Sequence, residues 1–194
     1  DSDLVTTATG ELERDQQGTA SSYNYNYWSS SVQPKAAGTN TNLNYTIGEV
    51  LRDGTTGTPR SIVYQDHWNV ADSNTMPLTQ MILSRYWLWR FHGTSDLYDA
   101  WDPIDENDSM APGTGFTKKG VSGTSEVTDF QNFTFVGKPY NGDFTLPITS
   151  GFDRLIGNPY PSAMDANKFI LDNISTANGG NNTTGNVFNG ALYF

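Results

Sequence analysis

Glycine, proline and asparagine cut this 194-residue chain into short runs in which apolar and polar residues alternate. That punctuation constrains the fold more than any other feature. Alternation at period two is the pattern of a half-buried strand, and runs this short leave little room for the roughly ten or more residues of an amphipathic helix. One segment departs from the pattern. In 155–165, Pro159 and Pro161 push Asn158 and Tyr160 toward extended geometry, and Ser162 with Asp165 three residues on reads as a capping-box-like helix start. The whole predicts an all-β fold: a sandwich or jelly-roll-like set of antiparallel sheets with one short helix at about 163–171.

Within that frame, Tyr23, Tyr25 and Tyr27 alternate with asparagine and lead into Trp28, which predicts a half-buried strand with three tyrosines on one face. Residues 81–91 carry apolar groups on both faces, which predicts a central strand. Phe133 and Phe135 on one side and Phe144, Leu146 and Ile148 on the other bracket Pro139-Tyr140-Asn141-Gly142. Asn-Gly there predicts a hairpin, because both residues tolerate positive φ. Residues 154–157 read as a further strand, 178–186 as an Asn-rich loop, and Ala191-Leu192-Tyr193-Phe194 as a strand that stops without a polar tail. An unshielded strand edge rarely closes a domain. Residues 1–194 are therefore expected to be a single β-rich module and a piece of a longer polypeptide, in which another segment of the parent protein or a neighbouring subunit pairs with that last strand.

Charge and composition narrow the partners. Eleven Lys and Arg stand against twenty-one Asp and Glu, a formal net charge of −10, and the positive residues are scattered, so nucleic acid is not an expected partner. No apolar stretch approaches the roughly twenty residues that span a bilayer, so membrane insertion is not expected either. Cysteine is absent, which excludes disulfides, thiolate chemistry and zinc held through cysteine. Five Trp, ten Tyr and ten Phe can fill a core in a chain only 36% hydrophobic, while uncharged Thr, Ser, Asn and Gly supply solvated turns. This is the composition of a loop-rich, extracellular β protein.

Candidate chemistry is sparse. Asp96, Asp99, Asp102, Asp105 and Asp108 recur at every third position, and hard oxygen donors at short spacing are what Ca²⁺ requires; the same acids on a packed segment would form a solvated face. His67 and His92 are the only histidines, and Asp66 could orient His67 as a base toward Ser84 or Ser61, but no Gly-x-Ser-x-Gly elbow exposes a nucleophile. A glycosidase carboxylate pair can be drawn among twenty-one acids at will, so it carries no information. Tyr23, Tyr25, Tyr27, Trp28, Trp68, Trp87, Trp89 and Trp101 are candidate sugar-stacking residues, Tyr25, Trp28, Trp68 and Trp101 foremost, with packing in the interior as the competing role for each.

Several motifs together resemble a module of large secreted, adhesin-like surface proteins of Bacteroidota that use the type IX secretion system. The matching pieces are Glu13-Arg14-Asp15-Gln16-Gln17-Gly18-Thr19-Ala20, Tyr25-Asn26-Tyr27-Trp28-Ser29-Ser30, residues 111–120, Phe135-Val136-Gly137-Lys138-Pro139-Tyr140-Asn141-Gly142 and residues 155–165, in the expected order. Ser31 stands where that family commonly has Pro. The resemblance implies a β-rich repeat or stalk module exported across the outer membrane to the cell surface, with no catalytic residues to carry over. Asp108-Ser109-Met110 looks like the pattern that receives O-glycans in such bacteria, which makes Ser109 a candidate modification site.

The expected function is a non-enzymatic extracellular structural or adhesin module of a cell-surface or filament-like protein, with no cofactor other than Ca²⁺ and with surface glycans as candidate partners. The competing reading is a carbohydrate-binding accessory module of a secreted polysaccharide-degrading enzyme.

Overall fold

The computed structural model describes residues 10–37, 41–70, 80–91, 98–121 and 128–188. The chain divides into two compact units, Asp1–Pro161 and Ser162–Phe194. The first unit is all-β and built mainly of antiparallel sheets, as the alternating runs require. One sheet joins β1 (Leu12–Thr19), β3 (Val32–Gln33), β4 (Leu51–Asp53) and β10 (Phe130–Pro139), with β10 at its centre. The other runs in the order β2 (Tyr25–Ser29), β9 (Gly115–Lys119), β7 (Trp89–Phe91), β8 (Trp101–Pro103). A short parallel pair, β5 (Val63–Gln65) with β6 (Ile82–Ser84), completes the unit.

The two large sheets face each other through aromatic side chains. Trp28 of β2 meets Phe133 and Phe135 of β10 edge-on, at centroid distances of 5.1 and 6.0 Å. Phe116 of β9, Leu51 of β4 and Val32 of β3 are fully buried in the same cluster. A four-residue helical turn, α1 (Ile47–Val50), contributes Ile47 and Val50 to it; Thr46 caps that turn by accepting from the Glu49 N–H and donating to the Glu49 carboxylate. Tyr45 is wholly buried, and its hydroxyl donates to the Thr114 carbonyl at 2.5 Å. Burial pushes that phenol up, so it stays neutral.

Four local expectations change. Residues 81–91 are not one central strand. They are β6, a 3₁₀ turn at Arg85–Trp87, and β7, which lie in different sheets. Arg85 makes the turn: its guanidinium donates to both carboxylate oxygens of Glu106, at 2.6 and 2.5 Å, and to Asp66 at 3.0 Å. The bidentate pair holds the Glu106 carboxyl below its usual range.

The Asn-Gly hairpin does not form, although Gly142 does adopt a φ of +81°. β10 pairs with β1 along one edge and with β4 and β3 along the other. A returning strand would find no free edge, and residues 141–149 run as loop.

Residues 154–157 form an isolated bridge, Thr114 with Ile156, rather than a strand. The segment that follows is a corner, as Pro159 and Pro161 suggest. Gly157 lies so close to Ser29 that a β-carbon would sit 2.4 Å from that residue's own. Asn158 Oδ1 accepts from the Tyr160 N–H at 3.0 Å, and the Tyr160 hydroxyl donates to the Gly142 carbonyl.

In the second unit, α2 spans Ala166–Asn173. Its N-cap is Asp165, whose side chain accepts from the Lys168 N–H at 3.0 Å, so the helix starts about three residues later than Ser162 would have placed it. The proposed strand at 191–194 lies outside the described residues.

Candidate functional site

The run 25–28 alternates as expected, and the structure decides which face is buried. Asn26 is the residue turned inward, only 8% exposed, while Tyr25 is 40% exposed. Asn26 can lie inside because its amide has partners there: its Oδ1 accepts from the Thr19 N–H at 2.8 Å and its Nδ2 donates to the Thr19 carbonyl at 3.4 Å, stitching the end of β1 to β2. A buried polar group with both partners supplied costs little. The tyrosines are thereby turned to the outer face of the sheet.

Register extends that face across four strands. Tyr27 lies opposite Thr117, Thr117 opposite Trp89, and Trp89 opposite Pro103; Tyr25 lies opposite Lys119, and Phe91 opposite Trp101. Tyr25, Tyr27, Trp89, Tyr98, Trp101 and Thr117 line one open cleft of about 200 Å³. Five of the six are aromatic. Thr117 forms its floor, and its hydroxyl donates to the Trp87 carbonyl at 3.3 Å. Tyr98 is 85% exposed.

Several contacts hold the rings in place. Trp89 donates its indole N–H to the Tyr86 carbonyl at 3.0 Å, and Trp101 packs edge-on against Phe91 with centroids 5.1 Å apart. The Trp101 N–H has no acceptor among the described residues and is available to one from outside. Partial burial pushes the Tyr25 phenol up, and the neighbouring phenols of Tyr98, Tyr27 and Tyr86 push it further, so it remains a neutral hydrogen-bond donor. Stacking faces combined with phenol and indole donors, in an open cleft with no carboxylate or imidazole among its described lining side chains, suit the binding of a polar ring that has an apolar face.

Of the stacking candidates, the fold brings Tyr25, Tyr27, Trp89 and Trp101 together in this cleft. Trp28 lies on the opposite face of the same sheet, in the core. Trp68, 62% exposed, stands apart: it stacks on His67, and its carbonyl accepts from Trp87 Nε1 at 2.6 Å. Tyr98 completes the cleft, and the sequence showed it only as an aromatic among acids.

Among the described residues, no three acidic or histidine side chains gather as a metal ion would need. Asp102 pairs with Arg90 at 2.8 Å, Asp108 accepts from the Asp105 N–H at 2.8 Å, Asp105 accepts from the Asn107 N–H at 2.6 Å, and Asp99 lies exposed in a 3₁₀ turn. Asp102, Asp105 and Asp108 thus have partners within the fold. Asp96 and His92 lie outside the described residues. Ser109 is exposed, and its hydroxyl accepts from Asn44 Nδ2 at 3.0 Å.

Residues 61–194, more than half of the chain, match the family described as a domain of unknown function, DUF8693. The chain belongs to DUF8693. The match takes in Trp89, Tyr98, Trp101 and Thr117 of the cleft, and it begins beyond Tyr25 and Tyr27. No curated protein matches the chain, and no solved structure matches it. No helix among the described residues of this DUF8693 chain is long and apolar enough to cross a membrane.

Proposed function

We propose that this DUF8693 chain is a non-enzymatic, extracellular binding module of a cell-surface, adhesin-like protein, and that its aromatic cleft takes a glycan. The observation that carries the reading is the set of five rings turned outward around about 200 Å³ of open space, on a sheet whose other face has aromatic groups enough to build the core. A module that only props other domains apart has no use for such a face, since exposed aromatic area favours association. The motif resemblance to exported surface proteins supports the cell-surface setting. An accessory module of a polysaccharide-degrading enzyme would use the same cleft, and the identity of the parent polypeptide separates the two.

A glycan array probed with the purified chain tests the reading. Saturable binding that Trp101→Ala weakens about tenfold or more is the expected result. An empty array with properly folded protein contradicts it and leaves the inert spacer.

A further inference from the structure

The basic side chains of this acidic protein nearly all have oxygen partners. Lys35 pairs with Glu11, Arg60 with Asp53, Arg85 with Glu106 and Asp66, Arg90 with Asp102, and Lys168 with Asp172. Arg52, Lys138 and Arg154 donate to backbone carbonyls. Among the described residues, three have no oxygen partner: Arg14, which is exposed on β1, Lys118, which is sealed in the core, and Lys119.

Lys119 borders the aromatic cleft through the Tyr25 ring and itself lines a smaller neighbouring pocket with Trp68 and Trp87. It is the cross-strand partner of Tyr25, and it follows Thr117 by two residues, hence on the same face of β9. Its Nζ rests 3.4 Å from the Trp87 ring centroid and 4.9 Å from that of Tyr25. Those rings hold the cation beside the cleft without neutralising it. Twenty-one acids were available to pair with it, and none of the described ones does.

We infer that the cleft is built for an acidic sugar, one whose ring stacks on the Trp89 and Trp101 side while its carboxylate meets Lys119. The inference rests on the glycan reading above and adds the charge of the ligand. A net charge of −10 repels anions at a distance, but at physiological ionic strength that field is screened over about 8 Å. Within that range the unpaired ammonium beside the cleft decides, and cation–π contacts at an exposed site are weak enough to yield to a carboxylate.

The test is titration calorimetry with two acidic probes, trigalacturonic acid and 3′-sialyllactose, each beside its neutral methyl ester. At least one acid form is expected to bind about tenfold or more tightly than its ester. Lys119→Gln should erase that preference, so that acid and ester bind alike, Lys119→Arg should keep it, and Trp101→Ala should weaken acid and ester alike. Equal binding of acid and ester, or a preference that survives Lys119→Gln, overturns the acidic-sugar inference and leaves the glycan reading standing. Failure of all four probes overturns the acidic-sugar inference too, and the glycan reading falls with it only if the array of neutral glycans is also empty.

Discussion

Lys118 and Lys119 are neighbours on β9, and each lays its amine on two aromatic rings, yet the two faces of the sheet use that arrangement differently. Lys118 Nζ is 3.8 Å from the Phe133 centroid and 4.1 Å from that of Trp28, with no hydrogen-bond partner and no exposure to solvent. The rings attract an ammonium, but their pull of roughly 2 kcal/mol is smaller than the several kcal/mol that removing a charge from water costs. Desolvation therefore holds the Lys118 amine well below its ordinary pKa. Lys119 keeps contact with water, and burial lowers its pKa without hiding the group. Inside, rings and amine are a closed assembly that holds two sheets together. Outside, the same components are left uncovered, which is the arrangement of a surface prepared for a ligand.

The comparison breaks most sharply at the rings. Phe133→Ala on the inner face should cost about 3–5 kcal/mol in urea unfolding, the range for removing a buried aromatic side chain. Trp101→Ala on the outer face should cost no more than about 1.5 kcal/mol, its edge contact with Phe91. Similar losses at both sites would erase the distinction.

Lys118 offers a subtler test. Its amine titrates near 10.4 in the unfolded chain and at a lower pH in the fold. Between those values the unfolded chain carries the proton and the fold does not, so this group's contribution to stability rises with pH across the window. Lys118→Met should stabilise the protein by roughly 1–3 kcal/mol at pH 7, the cost of an unsatisfied buried polar group. That advantage should shrink as the pH approaches 10, which thermal melts of the two proteins from pH 6 to 10 would reveal. A constant gap would mean the amine is not buried as described.

Two smaller effects sharpen the picture. Tyr25→Ala should lower glycan affinity about tenfold, or 1.4 kcal/mol, while leaving the urea midpoint nearly unchanged. Added Ca²⁺ should move the melting temperature by less than about 1 °C, because Asp102, Asp105 and Asp108 already have partners in the fold. A larger shift would reopen the acidic loop as a metal site.

Much of the fold was legible because strands are local: alternation in 25–28 and the breaks around it mark β2 without help from the rest of the chain. What alternation cannot tell is which face is buried. Asn26 goes inside because the backbone of Thr19 waits for its amide, and that partner lies on another strand. The run 81–91 misleads for a related reason, since Glu106 and Asp66 pin Arg85 from segments about twenty residues away. At 141–142 the turn chemistry is present and the free edge is not. The cleft was legible as residues and not as a place: Tyr25, Tyr27, Trp89 and Trp101 stand out as aromatic residues, but their meeting depends on β9 and β7 lying between β2 and β8.

The most direct measurement is an NMR titration that follows the five tryptophan indole N–H signals as a bound glycan is added. The Trp89 and Trp101 signals should shift together and saturably while Trp28 stays fixed. If Trp28 moves with them, or if a glycan that binds leaves Trp89 and Trp101 unmoved, the outer face is not the binding face and the account fails.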